Sequence, residues 1–183
     1  LPTFPEFAGD FLRRANDDQL AFINPIERFG RTEADVFIRV SAETNARVPG
    51  DVPASRSAQL RAAQRELGQR MMERAAAGEL RWSLTMFPTP ATAQDADMAS
   101  EEMFEVLARM CFLDQADPVA AWTSLHDRQQ KLIDWLTPRS EIHISAPDTD
   151  LRMNIAGRTW NNSDGKRNFP SGEIFTGPVE DSV

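Results

Sequence analysis

The 183-residue chain carries 28 acidic and 20 basic side chains, a formal charge of −8, with 41% hydrophobic and 26% charged residues. A chain of this length can bury roughly 70% of its unfolded surface and needs no staples to fold. The acidic balance, with no Lys-rich stripe to offset it, repels phosphate backbones and argues against nucleic acid. No apolar run approaches the ~20 residues of a membrane span.

The single Cys111 allows no intrachain disulfide and no Cys-rich zinc site. That fits a reducing compartment, so a cytoplasmic location is expected, with Cys111 as buried filler on the apolar side of a helix. The sequence opens Leu1-Pro-Thr-Phe-Pro without an initiator Met, so the expectation is either that something upstream was removed or that it is a segment of a longer protein.

In chain order, apolar recurrence predicts a helix over residues 4–15, and a second, short one over 20–29 interrupted by Pro25. The β-branched and aromatic run 34–40 predicts a strand, and 42–53 a connecting loop. Ser55 or Ser57 is the expected cap of a long helix that stops at Gly78. Its arginines, at 56, 61, 65, 70 and 74, read as a solvated face rather than an anion site. A second strand is expected at 80–87, ended by Pro88 and Pro90.

Ser100 caps the next predicted helix, with Glu101 and Glu102 in its positive first turn. Asp117-Pro118 starts the last one, which Pro138 terminates. Strands alternating with long amphipathic helices predict a layered α/β domain with a largely parallel sheet over 1–138. The pattern then changes. Residues 141–146 and 150–156 alternate strictly around Pro147-Asp-Thr-Asp, which predicts an antiparallel hairpin and the opening of a second domain, 139–183.

No Gly-rich nucleotide loop, nucleophile elbow or H-E-x-x-H helix is present. His126, inside a helix, and His143, on the polar side of a strand, read as structural. The tail, 158–183, is rich in Gly, Pro and Asn, the composition of a loop-built site. Gly172 lets the backbone bend sharply just before Glu173. A carboxylate there can reach Zn²⁺, Mn²⁺ or Co²⁺, although on residue chemistry alone a plain surface glutamate is the simpler reading.

The run Asn168-Phe-Pro-Ser-Gly-Glu-Ile-Phe-Thr-Gly-Pro178 resembles the N-(F/L/M)-P-x-G-E-(V/I)-F/Y-T-x-P signature of the thermophilic metallo-aminopeptidases, the family of aminopeptidase T, aminopeptidase II and PepS. Asp117-Pro118 followed by Trp122, Thr149-Asp150-Leu151, and Gly157-Arg158 followed by Trp160 match in the same order.

The resemblance implies a two-metal exopeptidase that removes N-terminal residues from peptides, using Zn, Co or Mn, and a homodimer. It assigns a metal-ligand role to Glu173 and a catalytic role to no residue of this sequence. The family's remaining ligands (a second Glu, two His and an Asp) and its active-site Tyr come later, and this sequence contains no Tyr. The expectation is therefore a truncated catalytic domain, inactive alone and binding no metal or binding it weakly. The alternative is a non-catalytic α/β binding or assembly module.

Overall fold

The computed structural model describes residues 7–45 and 52–182; residues 4–6 of the helix predicted over 4–15 and residues 46–51 of the loop predicted over 42–53 lie outside them. The chain forms two compact units, Leu1–Val106 and Leu107–Val183. The fold is α/β, as the alternation of elements predicted.

The first unit contains α1 (Ala8–Arg14), α2 (Asp17–Ala21), α3 (Pro25–Thr32), β1 (Val36–Ser41), α4 (Ala54–Ala76), β2 (Arg81–Met86) and α5 (Pro90–Asp95). Two helices occupy the stretch expected to hold one. The Asn16 and Gln19 side chains cap α2 reciprocally, at 2.8 and 2.9 Å. Asn24 then caps α3 by accepting from the Ile26 amide at 2.9 Å, with Pro25 at its first turn. Proline therefore starts a helix here rather than interrupting one.

Strands β1 and β2 pair in parallel from Val36↔Arg81 to Ser41↔Met86, joined by the crossover helix α4. Helices α1, α2 and α3 pack on α4, and Leu20 and Leu67 are buried. Strand β1 keeps one face open: Val36, Ile38 and Val40 are 49%, 66% and 58% exposed.

Two sequence expectations for α4 need correction. Pro53 occupies its N-cap and no side chain caps it, so neither Ser55 nor Ser57 has that role. The arginine row is also not uniformly solvated. Arg61, Arg65 and Arg70 are exposed, but the Arg56 guanidinium donates to the Leu12 and Ala15 carbonyls at the end of α1. Arg74 is buried and donates to the carbonyls of Ala34 (3.0 Å), Arg31 (3.3 Å) and Glu79 (3.4 Å). Both side chains take up helix- and strand-end oxygens that lack partners within their own elements. Helix α5 was not expected at all. Its signal is Thr89, which forms a capping box with Thr92 ahead of Pro90.

Helix α6 (Ser100–Met110) leads into the second unit. There follow α7 (Pro118–Leu136), β3 (Glu141–Ala146), β4 (Thr149–Asn154), β5 (Asn161–Ser163), β6 (Asn168–Phe169), β7 (Glu173–Phe175) and a 3₁₀ turn at Glu180–Ser182. Asp117 caps α7, its carboxylate accepting from the Ala120 amide at 2.9 Å. The predicted hairpin forms, with β3 and β4 antiparallel and Asp148 at positive φ in the turn. Ile142 faces Met153 and Ile144 faces Leu151 across it. The change of character at residue 139 falls inside this unit, because α7 packs against β5 and β7.

Replacing Arg74 by Met should lower stability by about 1–3 kcal/mol, the usual consequence of leaving buried carbonyls without donors. The same change at exposed Arg65 should stay within about 0.5 kcal/mol. Urea unfolding midpoints of the two variants check the contrast.

Candidate metal-ligand segment

One stripe of α7 faces the tail. Trp122, Leu125, His126, Gln129 and Ile133 recur at helical spacing, and each of the first four touches the segment 162–173. The Trp122 ring lies 5.4 Å from the Phe169 ring and 5.1 Å from Phe112, centroid to centroid. Its indole N–H donates to the Cys111 carbonyl at 3.1 Å. Cys111 itself is buried, and burial pushes its thiol pKa up, so it is packing, as expected.

His126 has a side-chain partner that was not foreseeable from spacing. Its Nδ1 lies 2.8 Å from Oδ2 of Asp164, 38 residues on. Lys166 donates to the same oxygen at 2.6 Å. The Asp164 side chain is 7% exposed. Burial pushes its carboxyl pKa up, but the hydrogen bonds from Lys166 and His126 and the Lys166 charge outweigh that and hold it below the usual carboxylate range. A cleft of about 370 Å³ opens beside this group, walled by Val119, Trp122 and Phe169. His143 is likewise paired, with Nε2 2.7 Å from an Asp150 oxygen on the neighbouring strand.

The loop between β5 and β7 turns at two glycines. Gly165 has φ +85°, and a Cβ there would lie 3.0 Å from two Trp122 ring carbons. Gly172 has φ +139°, the bend anticipated just before Glu173. The Phe169–Pro170 peptide is cis, and the Ser163 and Ser171 hydroxyls meet at 2.5 Å across the loop. Strand β7 then pairs antiparallel with β5, Ser163 opposite Glu173 and Asn161 opposite Phe175. Beyond it, Thr176 donates to the Thr159 carbonyl and Arg158 to the Gly177 carbonyl, both at 2.7 Å.

Buried Gln129 ties the strands to α7. Its amide nitrogen reaches Asn162 Oδ1 at 2.7 Å, the Glu173 carbonyl at 3.0 Å and the Ser163 carbonyl at 3.3 Å. The Asn162 amide donates in turn to the His126 carbonyl (3.2 Å) and Gln130 (3.3 Å). Carbonyls only accept, which fixes the orientation of both amides.

Glu173 therefore has an anchored backbone and an exposed side chain. Among the described residues, no group of three or more His, Cys, Asp or Glu side chains converges to hold a metal ion. The residues present fit one coordination position and not a whole centre, since each zinc takes about four ligands.

The family signature is thus assembled around a single helix face, and the comparison with known proteins agrees. The sequence model of the thermophilic metalloprotease family (M29) matches residues 3–183, and the chain belongs to that family.

Two curated relatives are aminopeptidase 2 of Geobacillus stearothermophilus, 33% identical, and aminopeptidase T of Thermus thermophilus, 27% identical. Each alignment covers 56% of this chain and 29% of the relative. The solved structure of wild-type AmpT from Thermus thermophilus superposes with a TM-score of 0.74 at 22% identity. That match covers 97% of this chain and 48% of the other, and it establishes the fold. The chain thus spans less than half the length of the relatives it matches.

Ala at Gly165 should cost about 2 kcal/mol or more, combining the left-handed backbone with the Trp122 approach. Gly78, at φ +76° with nothing near its missing Cβ, should cost only about 1 kcal/mol when changed to Ala. Chemical denaturation of the two variants tests this.

Asp164→Asn should destabilise the chain at neutral pH. Because the folded carboxyl is depressed, its contribution is full above the ordinary carboxylate pKa of about 4 and fades as pH falls through the lower folded value. The gap in melting temperature between wild type and Asp164→Asn should therefore close in acid, which thermal melts across pH will reveal.

Proposed function

We propose that these residues belong to a two-metal aminopeptidase, in which Glu173 supplies a carboxylate ligand to one of two divalent cations. The observation that carries this reading is the Asn168–Pro178 signature folded as an anchored turn and strand that presents the Glu173 side chain to solvent. Membership of a metalloprotease family and likeness to two aminopeptidases support it.

When bound, such a cation pair polarises a scissile carbonyl and lowers the pKa of a water near it. The part of this chain is to hold one donor in place. The substrates are peptides with a free N-terminus, and the cations are Zn²⁺, Co²⁺ or Mn²⁺. A homodimer and a cytoplasmic location complete the reading; among the described residues no helix is long and apolar enough to cross a membrane.

With one carboxylate from this segment, the 183-residue chain alone should bind Zn²⁺ weakly and hydrolyse nothing. The test places these residues in a protein of the relatives' full length, assayed for release of free amino acid from aminoacyl p-nitroanilides. EDTA should abolish release and added metal should restore it. Glu173→Gln should lower kcat/KM by about 100-fold or more, the range in which loss of a metal-centre group falls. Chelator-insensitive hydrolysis, or wild-type kinetics in Glu173→Gln, would overturn the assignment.

A further inference from the structure

We propose that the cleft beside Trp122 is a binding site for a small aryl carboxylate, an aromatic ring joined to a –COO⁻ group. The proposal is independent of Glu173 and of any metal. The cleft, about 370 Å³, lies within the second unit, between α7 and the loop that follows β5. That volume falls in the range of small-molecule sites, which combine apolar walls with a few convergent polar groups.

The apolar walls are Val119, Trp122 and Phe169. The two rings pack on each other at 5.4 Å, and the Trp122 N–H is already given to the Cys111 carbonyl. That wall therefore offers an aromatic ligand ring surface to pack on and no competing donor. Gly165 lets the loop lie against Trp122, where a Cβ would come 3.0 Å from two ring carbons. A larger residue would push the loop, and Lys166 with it, away from the ring.

The polar groups belong to the Asp164 cluster. The Asp164 carboxyl, ionised at neutral pH, only accepts hydrogen bonds, so the His126 Nδ1 beside it carries a proton. The Asp164 side chain is buried, and His126 and Lys166 both engage its Oδ2, which closes it to an incoming cation. Lys166 is exposed and lines the cleft. Its ammonium has three N–H groups and gives one to Asp164, which leaves two for carboxylate oxygens. His126 uses Nδ1 on Asp164, and as imidazolium its Nε2 adds a further donor to the cleft that the ring lines. A ligand amine would meet the like charge of Lys166, and a bare hydrocarbon would leave these donors unused.

The test titrates the 183-residue chain with hydrocinnamate and follows the imidazole C–H signals of its two histidines by proton NMR. His126 lines the cleft, while His143, on the β3–β4 hairpin, is the internal reference. The His126 signal should shift saturably and the His143 signal should hold still. Hydrocinnamyl alcohol, which lacks the charge, should bind about fivefold more weakly, as should hydrocinnamate to Lys166→Gln, the usual size of one solvated charge pair. Lys166→Arg should bind as wild type.

The same chemical group occurs in free aryl acids and at the C-terminus of peptides that end in an aromatic residue. Binding of acetyl-Gly-Phe as tight as that of hydrocinnamate, lost in its C-terminal amide, assigns the cleft to peptide C-termini; its exclusion assigns the cleft to free acids. An unmoved His126 signal, equal affinity for the alcohol, or a tighter complex with phenethylamine would overturn the proposal. Should Lys166→Gln fail to fold, the comparison of acid with alcohol decides the matter.

Discussion

A single buried amide nitrogen serving three oxygens is the constraint on which the tail of the second unit depends. Strands β5 and β7 are three residues each, too short to persist as an isolated pair in water. Helix α7 supplies what the ladder lacks. Gln129 takes two strand carbonyls and the Asn162 side chain, Trp122 packs on Phe169, and His126 holds Asp164 at the start of the loop. An amide group has only two hydrogens, so its three acceptors share them. That sharing ties the two strands and the helix to one arrangement.

Much of this was legible in the sequence, and the limits have physical reasons. The helical recurrence of residues 118–136 and the alternation of 141–156 fixed their own elements, because each burial pattern has only one matching period. The Asn168–Pro178 run pointed to its family, and the bend at Gly172 followed from glycine chemistry. What pattern could not supply was the meeting of His126 with Asp164, or Gln129 with Glu173, across 38 and 44 residues. Polar partners that far apart leave no periodic trace. The one available signal was Gln129 lying on the apolar stripe of α7, a polar residue where packing alone would have favoured Leu. A buried polar group of that kind requires a partner.

In the first unit the misreadings came from side chains that serve other elements. Charge periodicity suggested that the α4 arginines face water, and three of the five do. Arg56 and Arg74 were indistinguishable from them by sequence, since both follow the same polar spacing. Their difference lies in where α4 passes the ends of α1, α3 and β1, which leave carbonyls in need of donors. Likewise Pro53 took the cap position that serine chemistry favoured, and Thr89 made a helix of a proline-flanked stretch.

The choice of guanidinium at those two positions separates the first unit from the second in how each answers to proton concentration. Arginine stays charged at every pH a protein encounters. The clasp that Arg56 and Arg74 make with main-chain carbonyls in the first unit therefore involves no acceptor that gains a proton in mild acid. The Asp164 cluster in the second unit relies instead on a carboxylate that can gain a proton. Acidification should thus reach the loop ahead of Glu173 while the α4 clasp still stands, and proteolytic cleavage sites would open in that order.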